Sequence, residues 1–124
     1  MKAKVNPTED LNKVKSSIKN ITTAKKAIDL IITDKINDEY LSISGDIYLL
    51  NTISSLIKSN EITEVASNIL NKNKTENSLK FYVNKQAAYH NKFHMSDEDI
   101  STLGDIEVTI KTMNPDDVIH WIIN

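Results

Sequence analysis

Apolar residues recur in this chain with two different periods, and these periods divide it into short strands and amphipathic helices. Residues 2 to 6 alternate between apolar and polar side chains, which predicts a short half-buried strand. A helix is expected next, because Asn6 is suited to be the N-cap, Pro7 suits the first turn and Glu9 completes a capping box. The apolar stripe of this helix recurs at helical spacing at Leu11, Val14, Ile18 and Ile21.

The middle of the chain predicts a hairpin followed by a long helical region. Residues 25–33 and 39–44 each alternate, and the polar residues between them favour a tight connection. Residues 47–72 have helical period and predict either one bent helix or two consecutive ones, with Asn60 as the interruption. A polar loop is expected from Asn71 to Ser78.

The run from Asn84 to Ala88 stands out because it interrupts sequence that otherwise favours strands. Apolar and aromatic residues flank it on both sides, at Leu79, Phe81, Val83, Tyr89, Phe93 and Met95. We therefore expect the run to lie where two sheet segments meet. Its two alanines would allow another element to pack closely there.

The C-terminal third predicts a short helix, a strand and a last helix. Ser96 and the three acids after it favour a helix that ends at Gly104. Residues 105–111 alternate strictly, so this strand should cover a core with one face only. Asn114 and Pro115 then repeat the N-terminal capping pattern and open the last helix.

Together these elements predict one α+β domain over residues 1–124. About five strands should form a mostly antiparallel sheet, and about five helices should cover one of its faces. A chain of 124 residues is long enough to bury one core.

Composition excludes several classes of function. The chain has no Cys, which removes disulfides and thiolate chemistry. With only two glycines, Gly45 and Gly104, it lacks a phosphate-binding glycine loop, and neither a nucleophile elbow nor a metalloprotease helix is present. We therefore expect no enzyme activity and no cofactor. The N-terminus lacks a secretory signal and no apolar run is long enough to span a bilayer, so a cytoplasmic protein without membrane contact is expected.

Charge is distributed unevenly along the chain. All 15 basic residues are Lys, and 17 acidic residues give a formal net charge of -2. Residues 2–26 are rich in Lys, whereas residues 95–124 are rich in Asp and Glu. Such opposed ends form either a basic face for nucleic acid or two regions that attract each other, within one molecule or across a dimer.

Four segments in this order resemble a known family: Asn6–Asp10 after the first strand, Asn84–Ala88, Leu103–Val108, and the acid-rich last helix that reaches Ile119–Ile122. The chain resembles, over nearly its whole length, an archaeal family of uncharacterised small proteins that is often labelled RNA-binding. The resemblance implies an RNA-recognition-motif-like fold, similar to the domain by which a large-subunit ribosomal protein holds 5S rRNA. The chain departs from the family pattern at Asn91, where relatives tend to have Gly, and at His120, where they tend to have an acid.

Two functions from different classes follow. The first hypothesis is a non-catalytic interaction domain that forms a homodimer, through apolar surface on the last helix or an unpaired edge strand. The absence of Arg, the mild acidity and the few aromatic residues favour it. The alternative, favoured by the resemblance, is an RNA-binding module that uses lysines and strand aromatics.

For RNA, the candidate contacts are two residues of the interrupting run and four N-terminal lysines: Lys85, Gln86, Lys2, Lys4, Lys13 and Lys15. The structural alternative is that Lys85 is merely solvated and that Gln86 bonds the strand ends. Four rings are candidates for stacking bases, of which at least two should belong to the core: Phe81, Tyr82, Tyr89 and Phe93. His90 and His94 lie too far apart on a strand to share a metal ion, so no metal site is expected.

Overall fold

The computed structural model describes residues 2–5, 11–21, 30–31, 39–42, 50–98 and 104–124. Its strands are β1 (Lys2–Val5), β2 (Leu30–Ile31), β3 (Glu39–Ser42), β4 (Ser78–Val83), β5 (Met95–Ser96) and β6 (Ile106–Lys111). Its helices are α1 (Leu11–Ile21), α2 (Asn51–Ser59), α3 (Thr63–Lys72), α4 (Lys85–Tyr89) and α5 (Pro115–Ile123). The chain is thus an α+β protein.

The expectation of a five-stranded sheet is wrong. The described strands form one antiparallel sheet of six, in the order β2-β3-β1-β6-β4-β5. Among the strands whose side chains the structure describes, β4 and β6 contribute buried core residues, and Met95 of β5 packs against them. The five-stranded, RNA-recognition-motif-like sheet that the resemblance implied is wrong for the same reason. The additional strand has a local cause. Helix α4 separates β4 from β5, and the chain turns back there. Tyr82 and Val83 therefore pair with Ser96 and Met95.

The core lies on one face of β4 and β6, because their side chains alternate. Leu79, Phe81 and Val83 are fully buried, while the intervening residues of β4 are half-buried on the other face. In the register of the two strands Phe81 lies opposite Val108, so their side chains share the buried face. Replacing a fully buried Phe such as Phe81 with Ala typically costs about 3 to 5 kcal/mol.

Helices α1, α2, α3 and α5 each contribute a buried stripe to this core. Their buried apolar residues are Val14, Ile18, Ile21, Ile53, Ile57, Ala66, Leu70, Ile119 and Ile122. The strand predicted over 105–111 and the last helix predicted after Asn114 are confirmed. Asn114 does not cap α5 with its side chain, however, and instead Thr112 Oγ1 accepts a hydrogen bond from the Asn114 N–H at 3.1 Å.

Residues 50–72 form two consecutive helices rather than one bent helix. The Asn60 side-chain amide and its backbone N–H both donate to the Leu56 carbonyl, at 2.7 and 3.0 Å, which closes the end of α2. Glu61 then adopts a left-handed conformation with φ of 55°, and α3 begins two residues later. Asn60 is therefore the interruption that the sequence predicts.

Several other predictions fall outside the described residues. The N-terminal cap at Asn6 to Glu9, the turn between the two hairpin strands and most of the helix expected before Gly104 lie there. The antiparallel pairing expected of the hairpin is present where it is described, since Leu30 lies opposite Leu41. Ser96, predicted as a helix cap, belongs to β5.

Candidate nucleic-acid interface

The run from Asn84 to Ala88 lies between two paired strands, β4 and β5, as expected, but Lys85 to Ala88 are helical. Asn84 has extended backbone angles and its Oδ1 accepts a hydrogen bond from the Ala87 N–H at 2.8 Å, so it is the N-cap of α4. The residues after it, Lys85 to Ala88, have good helix propensity. The sequence analysis missed this helix because five residues are too few to show a helical period between strand-like flanks.

A compact turn closes α4. The N–H groups of Asn91 and Lys92 donate to the carbonyls of Ala88 and Ala87, at 3.1 and 2.8 Å. Asn91 lies in the left-handed region with φ of 60°. Asn is the residue that tolerates this conformation best after Gly, which explains how the chain forms this turn without a glycine.

Helix α4 packs on α1 through specific contacts. The Asn20 side-chain amide donates to the carbonyls of Ala88 and Tyr89, at 2.8 and 3.4 Å. The Lys13 ammonium group lies 5.6 Å from the centre of the Tyr89 ring, within the range of a cation–π interaction. Two segments that are far apart in the sequence are thereby joined into one surface.

The two segments that meet here are basic in sequence, because neither contains an acid. Residues 11–28 and 77–96 hold no Asp or Glu. Four of their lysines are exposed or half-exposed on α1 and on the turn after α4: Lys13, Lys15, Lys19 and Lys92. We call these lysines, together with the exposed Gln86 of α4, the α1–α4 surface. A positive potential here would attract a polyanion although the whole chain is weakly acidic.

Three of the six predicted site residues are accessible on the two packed helices. Lys13 and Gln86 are exposed and Lys15 is half-exposed. Lys13 lies on the α4 side of α1, close to Tyr89, whereas Lys15 is about 200° further round the helix. Lys85 is in the adjacent first turn of α4 but is only 3% exposed, so its ammonium group is not presented to solvent. In β1, Lys4 is the register partner of Tyr40, while Lys2 is that of both Ser42 and Glu107.

Neither Lys19 nor Lys92 is among the site residues predicted from the sequence. The signal that finds both is the absence of acids from two long segments, read together with the packing of α1 on α4. The first part of this signal is in the sequence. The second is a tertiary contact that no local pattern encodes.

The four candidate rings divide between the core and the surface. Phe81 and Phe93 are buried, as expected of at least two of them. Tyr89 is half-buried beside Lys13, and its edge meets His90 at 5.0 Å between ring centres. Tyr82 is half-buried on the sheet face that lies away from the core.

That outer sheet face forms a groove of about 390 Å³, but its cations are already paired with carboxylates. The Lys80 Nζ lies 3.3 Å from Glu107 Oε1, and this hydrogen-bonded pair raises the pKa of Lys80. Lys72 at the end of α3 pairs with Asp97, which raises the pKa of Lys72 and lowers that of Asp97. Phosphate groups would meet these carboxylates, so the α1–α4 surface suits a polyanion better.

The described residues hold no cluster of three His, Cys, Asp or Glu side chains that could bind a metal ion, and His90 and His94 are both exposed. Across the same ranges, no helix combines the length and the apolar character needed to cross a membrane.

Fold and surface together define a small α+β protein with exposed lysines on α1 and on the turn after α4, which pack together. A family model described as RNA binding matches residues 1–112. The chain belongs to this family of UPF0201 proteins, as the resemblance in its sequence predicted. The match includes both α1 and α4 and ends before α5.

Relatives and solved structures agree with this assignment. A UPF0201 protein of Methanocaldococcus jannaschii is 39% identical over 122 residues, which are 98% of this chain and 68% of the relative. One of Methanothermobacter thermautotrophicus is 32% identical over 98% of this chain and 87% of its own length. The crystal structure of a UPF0201 protein from Methanococcus jannaschii is similar to the chain with a TM-score of 0.79 at 36% identity, covering 98% of this chain and 89% of that one.

Proposed function

We propose that this protein is a non-catalytic RNA-binding module that contacts phosphate groups through the α1–α4 surface. The observation that carries the proposal is that the lysines of this surface lie in two acid-free segments of a chain with a net charge of -2. The RNA-binding description of the family supports it. Self-association, the first hypothesis from the sequence, is the second candidate, because no family description supports it.

The chemistry of the surface favours phosphate contact over sequence recognition. Its cations are all Lys, which acts as a flexible point charge and lacks the rigid fork with which Arg reads base edges. The Tyr89 ring is half-buried and engaged by Lys13, so it is poorly placed to stack on a base. We therefore expect binding that depends steeply on salt and only weakly on sequence.

Fluorescence anisotropy of a labelled single-stranded RNA, measured at several salt concentrations, tests this function. Replacing Lys13, Lys15 and Lys92 together with Gln should lower the affinity roughly tenfold and reduce the salt slope by about 0.7 for each phosphate that the variant no longer neutralises. The proposal fails if the affinity and the slope stay as they are in the original protein.

The matched control removes three lysines from elsewhere: Lys72, Lys74 and Lys111. This triple Gln variant has the same net charge as the test variant, but Lys72 and Lys74 already pair with Asp97 and Asp116. Its affinity should remain within about twofold of the original. An equal decrease in both variants would mean that overall charge, not the α1–α4 surface, governs binding.

Self-association is the second candidate function. Val65 on α3 and Met113 before α5 are 52% and 89% exposed, and such side chains are common at contacts between subunits. Light scattering at concentrations above and below the range used for RNA binding distinguishes a monomer from a dimer.

A further inference from the structure

The groove between α2 and α5 combines an exposed indole ring with cationic and amide side chains. Trp121, the only Trp of the chain, is 37% exposed there. Lys58 and Asn51 of α2 line the same groove, as do His120 and Asn124 at the end of α5. The groove has a volume of about 450 Å³, and no Asp or Glu is among its lining residues.

The two walls of this groove are fixed relative to each other. Ser54 is buried in the middle of α2, and its hydroxyl group donates to the Ile122 carbonyl of α5 at 2.6 Å. On α5, the Asn124 amide nitrogen lies 2.9 Å from His120 Nδ1 and donates to the His120 carbonyl at 3.0 Å. The Asn124 side-chain oxygen therefore remains as an acceptor, and in the neutral ring His120 Nε2 carries the proton as a donor.

We infer that this groove binds a nucleobase of single-stranded RNA, stacked on Trp121, with the adjoining phosphate group at Lys58. A base presents a flat apolar face and a polar edge, which match the indole ring and the amide and imidazole groups beside it. The inference rests on the proposed RNA-binding function. It adds a second, non-electrostatic contact on helices that contribute nothing to the α1–α4 surface.

A protein partner fits the same groove less well. An amphipathic helix needs several apolar side chains in its groove, and here the indole is the only large apolar group among the lining residues. A second copy of the chain would need about 800 Å² of complementary surface on each side. The single cation of the lining, Lys58, instead suits one phosphate group.

Because Trp121 is the only Trp, its fluorescence reports on this groove alone. The original protein is titrated with single-stranded RNA of about ten nucleotides, and Trp emission and the anisotropy of the labelled RNA are followed in parallel. Stacking of a base on the indole ring should quench the Trp emission. The midpoint of this quenching should equal the midpoint of the change in RNA anisotropy. RNA binding without quenching would overturn the inference and leave the proposed function in place.

Variants separate stacking from charge. Trp121→Ala should lower RNA affinity by about fivefold to a hundredfold, whereas Trp121→Phe should retain most of it because a flat ring remains. Lys58→Gln should reduce the salt slope by about 0.7. Tyr82→Ala, on the outer sheet face, is the aromatic control and should leave affinity unchanged. If both proteins are folded, an equal RNA affinity of Trp121→Ala and the original protein would contradict the inference.

The remaining outcomes distinguish the two proposals. If RNA binding is abolished in the Trp121→Ala variant but persists when the lysines of the α1–α4 surface are replaced, the proposed surface is wrong and the groove stands. If no RNA binds, both fail. If Trp emission shifts with protein concentration in the absence of RNA, a second copy covers the groove and the inference is overturned.

Discussion

The Asn20 side-chain amide donates a hydrogen bond of 2.8 Å to the Ala88 carbonyl, across 68 residues of sequence. This bond holds α4 on α1, and these two helices and the turn after α4 carry the exposed lysines of the α1–α4 surface. We expect Asn20→Ala to lower the free energy of unfolding by about 0.5 to 1.5 kcal/mol, the usual net value of a hydrogen bond. Urea denaturation measures this decrease. Asn71→Ala is the control, because Asn71 is exposed and bonds only within α3, to Ser67.

The N-cap of α4 predicts a similar but separable decrease in stability. Asn84→Ala removes the acceptor of the Ala87 N–H and should cost about 1 kcal/mol, whereas Asn84→Ser retains a capping oxygen and should recover most of it. Thermal melts of both variants test the difference. Equal melting temperatures for the Ala and Ser variants would show that the cap contributes nothing to stability.

The left-handed turn at Asn91 gives a prediction in the opposite direction. Asn91→Gly should leave stability within about 0.5 kcal/mol or raise it, since Gly adopts this conformation without steric cost. Asn91→Ala should destabilise by about 1 kcal/mol, because its Cβ is crowded at positive φ. Glu61, with φ of 55°, should respond to Gly in the same direction. Urea midpoints of the three variants are the measurement. A decrease in stability on Asn91→Gly would show that the Asn side chain itself stabilises the turn.

The pair between Lys72 and Asp97 makes stability depend on pH in the acid range. Because Lys72 lowers the pKa of Asp97 in the folded state, this contribution is fully present above the carboxyl group's ordinary pKa of about 3.9 and is lost as pH falls through the lower folded value. Asp97→Asn should therefore reduce the urea midpoint at neutral pH and leave it nearly unchanged in strong acid. Since Lys72 is exposed and Asp97 is only partly buried, the effect should be small and should weaken further in high salt. Glu98→Gln is the neighbouring control.

Features of the fold that depend on neighbouring residues are predicted from the sequence, whereas features that depend on tertiary contacts are not. The strict alternation of Ile106 and Val108 with polar residues is local, and it predicted β6 and its buried face correctly. The interruption predicted at Asn60 is also confirmed, because Asn60 is the C-cap of α2. Helix α4 was missed because its signal is a single capping residue, Asn84, between flanks that favour strands. The burial of Lys85 was equally out of reach, since it depends on what packs against α4.

The burial of Lys85 leads to a prediction that separates stability from binding. Its side chain is 3% exposed, and within the described ranges every buried side-chain nitrogen and oxygen atom has a hydrogen-bond partner. Lys85→Ala removes a satisfied buried cation and its packed aliphatic stem, and should cost about 1 to 3 kcal/mol of stability. Lys13→Ala changes an exposed side chain, so it should cost less than about 1 kcal/mol, including the cation–π contact with Tyr89.

RNA affinity should rank these two variants in the reverse order. Measured well below the melting temperature, Lys13→Ala should weaken binding and reduce the salt slope, because it removes an exposed charge from the α1–α4 surface. Lys85→Ala should leave the slope unchanged, since a buried ammonium group releases no counterion from RNA. His90→Ala, at the exposed C-terminal end of α4, is the control for general disturbance of this helix. A reduced salt slope in Lys85→Ala with an intact fold would mean that Lys85 reaches the RNA directly, and that α4 moves on binding.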